Sequence, residues 1–210
     1  MLYFDTLPKV ITSDPNNNPI LVTNLLTRAS LLQNLLVNPE LFYSYDIQDG
    51  DTPEIVAAKY YGDSYRYWLV LFANQILDPQ WQWPLSSQQF QAYINDKYGS
   101  AAANNNQTVI AYTQSITQEY RKIYTSYDST TANTTIINYT IDSNTYNNLI
   151  TSTQTVQFPS GGSCTITIDK AKIDLYTYEV EQNDAKRTIN LINVIYVGQF
   201  EQELDSLMNR

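Results

Sequence analysis

The spacing of hydrophobic positions changes partway along this chain, from mostly helical spacing before residue 98 to mostly period two after Thr108. Leu25, Leu26, Leu31, Leu32, Leu35 and Leu36 lie three, four and seven apart, which predicts an amphipathic helix. Asn38-Pro39 should end it, because the residue before proline avoids the α region. Tyr43, Tyr45 and Ile47 alternate with Ser44, Asp46 and Gln48, the pattern of a strand. Asp49-Gly50 marks a turn. Asp51 or Thr52 can cap the next helix, and Pro53 suits its first turn. With Asp51 as the cap, Glu54 completes a capping box. Ile55, Val56 and Tyr60 are expected on the buried face, with Gly62 at the end. A second helix should start at Asp63 or Ser64, carry Tyr65, Trp68, Leu69 and Phe72, and close near Asn74. Asp78-Pro79 and Trp83-Pro84 bracket a segment expected to be irregular. Ser86 with Gln89 forms another capping box, and Phe90, Tyr93, Ile94 and Lys97 share one helical face, ended by Gly99.

Residues 99–107 read as a linker. Beyond it, Val109 and Ala111; Tyr120, Lys122 and Tyr124; Ile136, Asn138 and Thr140; Thr165, Thr167 and Asp169; and Tyr176, Tyr178 and Val180 all sit in strand-like runs. Gly161-Gly162 and Asn183-Asp184 mark turns. An antiparallel sheet or small barrel is expected, with a long Thr- and Asn-rich stretch at 128–157 that is partly flexible in isolation. Phe200, Leu204, Leu207 and Met208 are spaced as an amphipathic helix of about three turns, too short to be stable alone, so its stripe needs a dock. The fold class is α+β. The predicted divisions are an N-terminal arm and helix (1–42), a compact module (43–98), the linker (99–107), a β-rich domain (108–198) and a C-terminal helix (199–210).

Composition narrows the function. Among 210 residues there is no histidine and one cysteine. Neither a Ser–His–Asp set, an internal disulfide nor a Cys/His zinc site can be built. Lys and Arg number 12 against 21 Asp and Glu, a net charge of −9, which argues against a nucleic-acid partner. The longest apolar run is Tyr67 to Ala73, while a membrane span needs about 20 residues, so no membrane partner is expected. No signal peptide is evident at the start, which fits synthesis and assembly in a cytoplasm. Only 16% of residues are charged, and Asn, Thr, Gln, Ser and Tyr supply the polarity. Such a surface suits packing against other proteins, although strand-rich domains also favour Thr and Tyr.

Candidate chemistry is sparse. Asp46, Asp49, Asp51 and Glu54 cluster in sequence and could form a carboxylate pair for glycoside hydrolysis, but a turn and helix caps account for each position. Asp49-Gly50-Asp51 lacks the ligand spacing of a calcium loop. Cys164 has no histidine to activate it and reads as structural. No glycine-rich phosphate loop precedes a lysine, so no cofactor is expected. Aromatic residues are the stronger signal. Trp68 reads as core, whereas Trp81 and Trp83 flank Gln82 in a proline-bounded segment. Both are expected to be exposed, as a sugar platform or a protein interface.

The run Tyr45 to Gly62, with Gly50-Asp51-Thr52 and Ile55-Val56-Ala57-Ala58-Lys59-Tyr60, resembles a LysM module, and Phe72-Ala73-Asn74 is similar to the end of that module's second helix. The module's usual closing turn and apolar strand are replaced by Asp78-Pro79-Gln80-Trp81-Gln82-Trp83-Pro84. A closer resemblance is to the LysM-like baseplate wedge proteins of T4-type contractile-tailed phages. It is carried by Gly50-Asp51-Thr52-Pro53-Glu54, Tyr60-Tyr61-Gly62-Asp63, Tyr67-Trp68, Asn74, Asp78-Pro79, Trp83-Pro84-Leu85-Ser86 and Lys97-Tyr98. The segment Tyr178 to Arg187 and the acidic C-terminal helix carry it more weakly.

That resemblance implies a non-enzymatic clamp in the virion tail baseplate, present in several copies and assembled in the host cytoplasm. The implied partners are other wedge proteins and a lysozyme-like sheath-initiating protein, with the LysM-like module gripping protein rather than glycan. Tyr67, Trp81, Trp83 and Pro84 are the candidate partner-contacting or module-shaping residues, and Phe200, Leu204, Leu207 and Met208 are a second candidate contact. The alternatives are a peptidoglycan-binding LysM module and a wall hydrolase using Asp51 and Glu54.

Overall fold

A computed structural model of the chain describes residues 7–24, 40–159 and 161–208. The leucine-rich helix expected over 25–36, and its end at Asn38-Pro39, lie outside the described residues. In chain order the described elements begin with β1 (Lys9–Ser13), β2 (Pro19–Thr23), β3 (Phe42–Asp46), α1 (Pro53–Tyr61) and a 3-10 turn (Ser64–Arg66). Then come α2 (Tyr67–Ala73), α3 (Pro79–Gln82), α4 (Ser87–Asn104), α5 (Val109–Ser115), β4 (Thr117–Asp128) and β5 (Asn133–Ile141). The chain continues through α6 (Ser143–Asn148), β6 (Ser152–Gln157), β7 (Ser163–Asp174), α7 (Leu175–Asp184), β8 (Thr188–Ile192) and α8 (Val194–Met208). The fold is α+β, in two compact units: Met1–Phe90 with Asn183–Arg210, and Gln91–Gln182.

The core of the first unit is built on β3 and β8, which pair antiparallel from Phe42↔Ile192 to Asp46↔Thr188. The strand that completes this sheet therefore arrives from more than a hundred residues downstream. Thr52 caps α1 by accepting the Ile55 N–H, Pro53 opens the helix, and Gly62 closes it with a left-handed φ of 70° that L side chains rarely adopt. Val56, Ala57 and Tyr61 of α1 are buried with Trp68, Leu69 and Val70 of α2 and Ile189, Leu191 and Ile192 of β8. Burial pushes the Tyr61 hydroxyl pKa up. The expected α1 face of Ile55, Val56 and Tyr60 needs correction: Ile55 is exposed and Tyr60 half-buried, because starting the helix at Thr52 turns Val56, Ala57 and Tyr61 inward. Tyr65 also lies exposed in the 3-10 turn, outside α2.

The C-terminal helix starts at Val194, five residues before the expected boundary, with the Asn193 Oδ1 accepting the Ile195 N–H at 3.2 Å. Val197 and Leu204 are buried in the first unit's core and Phe200 packs against it.

The second unit holds a four-stranded antiparallel sheet in the order β5-β4-β7-β6. The expected strands at 120–124, 136–140 and 165–169 are present, and the sheet is open rather than a barrel. Gly161 and Gly162, at φ 87° and 92°, turn the chain between β6 and β7. Much of the 128–157 stretch forms β5, α6 and β6.

Three further expectations fail here. Gly99 does not end α4, which runs through the supposed linker to Asn104; Ala101, Ala102 and Ala103 are strong helix formers, and Ala102 is buried. Val109 and Ala111 lie in α5, which Thr108 caps by accepting the Ala111 N–H at 3.3 Å. Tyr176, Tyr178 and Val180 lie in α7, where Asp174 accepts the Thr177 N–H at 2.9 Å. The buried positions of α7 are Leu175, Glu179 and Asn183, four apart; two are polar, so a hydropathy pattern does not expose them.

The helices of the second unit are fastened by Glu179. Its carboxylate accepts from Lys97 Nζ at 2.7 Å, Tyr98 Oη at 2.5 Å and Tyr93 Oη at 3.2 Å. Burial works to raise the Glu179 pKa, but the Lys97 ammonium and the tyrosine hydroxyls outweigh it and hold the carboxyl below its ordinary value. On α7, Glu181 takes Arg121 of β4 through two guanidinium nitrogens, at 2.9 and 2.5 Å.

Candidate partner-binding surface

The proline-bounded tryptophan segment is a short helix rather than an irregular stretch. Asp78 Oδ1 accepts the Gln80 N–H at 3.1 Å, and Pro79 occupies the first turn, the pairing that starts helices. Gln82 Oε1 folds back to accept the N–H groups of Leu77 and Asp78 at 2.8 and 2.9 Å. This places Trp81 and Trp83 in opposite roles. Trp81 is 68% exposed and Leu77 is also open, whereas Trp83 is only 8% exposed. The expectation that both tryptophans are open is thus corrected at Trp83. Its indole packs in the core of the first unit, and Nε1–H donates to the Asp51 carbonyl at 2.8 Å. Pro84 is buried next to it, and Tyr67 is half-buried against the same core.

Residues from the far end of the chain hold the segment in place. Asn183 Oδ1 accepts the Leu85 N–H at 2.7 Å, and its amide returns a hydrogen bond to the Leu85 carbonyl at 3.0 Å. Arg187 reaches the same carbonyl at 3.3 Å, and Lys186 Nζ donates to the Trp81 carbonyl at 2.8 Å. Asn183, Lys186 and Arg187 were not singled out as site residues from the sequence. The one signal was that they fall within the Tyr178–Arg187 segment of the family resemblance.

A second pin is Asn74. Its amide donates to the carbonyls of Val70 and Asn190, both at 2.8 Å, and its Oδ1 accepts the Asn190 N–H at 2.8 Å. The side chain thus closes α2 and pairs with β8 as a strand residue would.

Three of the four clustered carboxylates make bonds that hold local structure. Asp46 accepts from Thr188 Oγ1 at 2.7 Å and Asp49 from the Ser87 N–H at 2.8 Å. Asp51 binds Lys59 Nζ at 2.8 and 2.9 Å and Tyr45 Oη at 3.2 Å, rather than capping α1 with Glu54. The Asp51 hydrogen bond raises the Lys59 pKa. The Tyr45 pKa is raised first by burial and then by the bond to Asp51. Cys164 is half-buried in β7, with its Sγ 3.4 Å from Ser126 Oγ.

The second candidate contact is used within its own unit. Leu204 is buried and Phe200 half-buried there, while the side chains of Leu207 and Met208 lie outside the described residues. Of the candidate contact residues with described side chains, Trp81 is the one left open to solvent. Among the described residues, no helix is long and apolar enough to cross a membrane.

Residues 2–207 match the family of base plate wedge protein 53. The match covers nearly the whole chain, and the chain belongs to this family of phage base plate wedge proteins. It is thus a structural component of the virion tail that assembles with other base plate proteins. No curated protein matches it.

Proposed function

We propose that this wedge protein is a non-enzymatic clamp, gripping neighbouring wedge proteins with its first unit and supporting the start of the sheath. Its partners in this reading are other wedge proteins and the lysozyme-like sheath-initiating protein, joined during assembly in the host cytoplasm. The observation that carries the reading is Trp81, an indole exposed on a segment locked by Asp78, Gln82, Lys186 and Asn183. A large aromatic side chain on a rigid support binds with little backbone ordering cost, and such residues dominate interface energies. In this reading Trp83 and Pro84 shape the module, and Trp81 with Tyr67 makes the contact.

The order β3, α1, α2, β8 supports reading the first unit as a LysM-like module, with Asn74 tying its second helix to its closing strand. Engagement of the Asp46, Asp49 and Asp51 carboxylates in structural bonds supports a role without catalysis.

The test is incorporation of full-length Trp81→Ala into base plates assembled without the native chain. Truncating an interface hot spot costs about 2 kcal/mol or more, so incorporation should fall at least about tenfold with the thermal midpoint unchanged. Undiminished incorporation would remove Trp81 from the interface. Saturable binding of peptidoglycan fragments by the purified protein, lost in Trp81→Ala, would make the segment a glycan platform instead.

A further inference from the structure

The four-stranded sheet of the second unit has two unlike faces. Directly opposed residues in an antiparallel sheet share a face, and neighbours along a strand alternate. The register puts Tyr124, Ile137 and Ile168 across one face, with Ile166, Val156 and Tyr139 beside them. The other face is richer in threonine, with Thr125, Thr140, Thr153, Thr155, Thr165 and Thr167 and hydroxyl pairs Thr153–Thr167 and Thr155–Thr165 at 3.4 and 3.2 Å; Ile123, Ile136 and Tyr127 stand among them. An amphipathic sheet normally buries its apolar face. Here no residue of the four strands is buried among the described residues, and Ile137, Tyr139 and Val156 are openly exposed.

One end of the apolar face is basic. Lys122 stands directly opposite Lys170, a like-charge pairing that costs stability, and Lys172 follows on the same face. Lys170 is drawn to the carbonyls of Tyr146 and Leu149, both at 2.9 Å, at the end of α6. Lys172 lies over the rings of Tyr120 and Tyr146, at 5.9 and 5.7 Å from their centroids. Among the described residues none of the three lysines forms an ion pair. The carboxylates at this end are committed elsewhere: Asp142 caps α6, and Asp174, two residues beyond Lys172, accepts the Thr177 N–H at 2.9 Å. In a chain of net charge −9, three lysines grouped without a carboxylate form a local field of the opposite sign.

We propose that this face docks a segment of another base plate protein, apolar along its centre and bearing carboxylates at the end that meets Lys122 and Lys172. The isoleucines and Val156 supply apolar area that a nucleic-acid backbone would not use, and the lysines select for acidic ends. The surface belongs to the second unit and the Trp81 segment to the first, and the proposal rests on the family's place in the base plate rather than on the clamp reading.

The experiment uses base plates assembled with the full chain, compared with the free protein. Hydroxyl-radical labelling should fall at least about fivefold at Ile137, Tyr139 and Val156 on assembly, while the same spectra read Trp81 separately, so either reading can fail alone. Zero-length carbodiimide coupling should join Lys122 or Lys172 to Asp or Glu of another base plate protein. The double variant Lys122→Glu/Lys172→Glu should lower incorporation at least about tenfold, and the threonine-face variant Thr153→Glu should leave it unchanged. Far-UV circular dichroism of both variants checks that they fold. Unchanged labelling on assembly, couplings solely between copies of this chain, or full incorporation of the folded double variant would each overturn the proposal.

Discussion

The two units spend their hydrophobic residues differently. In the first, β3, β8, α1, α2 and α8 surround one core in which Leu69, Leu191 and Ile192 are fully buried. In the second, the buried positions sit on helices and several are polar or small: Ala102, Thr113 and Glu179, with Ile94 and Leu175. Among the described residues its four-stranded sheet contributes none, although its strands carry isoleucines and tyrosines. The first unit is thus held by area removed from water, and the second by backbone ladders and charge-assisted hydrogen bonds. A protein that must be stable before assembly and adhesive during it can divide those tasks in this way.

The largest expected difference comes from truncating one isolated side chain in each unit. Leu191→Ala opens a cavity in the first core and should cost about 2–5 kcal/mol, whereas Ile136→Ala, at 61% exposed, should change stability by no more than about 0.5 kcal/mol. Urea unfolding of both variants checks it, and comparable losses would break the contrast between the units.

Next in size is Asn74→Ala. It removes the two-way pairing with Asn190 and should cost about 1–2 kcal/mol. Hydrogen exchange should then accelerate in β8 and leave β4 and β7 unchanged.

A pH dependence sharpens the comparison from the other side. The Glu179 carboxyl titrates below its ordinary 4.5 in the folded chain, so its stabilisation is complete above about that pH and fades as pH falls through the lowered value. On the alkaline side, burial and the bond to Glu179 push the Tyr98 hydroxyl up from 10.0 to about 12, so that part is complete below pH 10.0 and is lost as pH rises toward 12. Wild type should melt above Glu179→Gln near neutral pH, and the gap should narrow as the pH falls below 4.5. A gap independent of pH would mean that Glu179 acts through packing alone.

Trp81→Ala should likewise change stability by no more than about 0.5 kcal/mol, although its effect on assembly should be large. Thermal melts check the first half of that statement. A large loss would place Trp81 in the packing of the first unit.

Much of the first unit was legible in the sequence because its signals are local. Gly62 and the Ser86–Gln89 capping box act within a few residues of themselves, and Asn74 closes α2 where its local chemistry predicts, although its pairing with Asn190 is long-range. The strands at 120–124, 136–140 and 165–169 were legible by alternation. The misread segments have a common cause. α5 buries Thr113, and α7 buries Glu179 and Asn183 beside the single apolar Leu175, so their helical faces carry little hydropathy signal.

By itself the sequence determined the absence of histidine chemistry, the α+β class, the caps and turns, and the motifs that point to a base plate wedge protein. Those are properties of composition and of short-range backbone chemistry. Tertiary structure alone decided that Trp83 is buried while Trp81 is open, that β8 completes the sheet begun by β3, and that Asn183 holds Leu85 from 98 residues away. Each depends on which distant segments meet in space, and a side chain's burial and hydrogen-bond partners exist only once they have met.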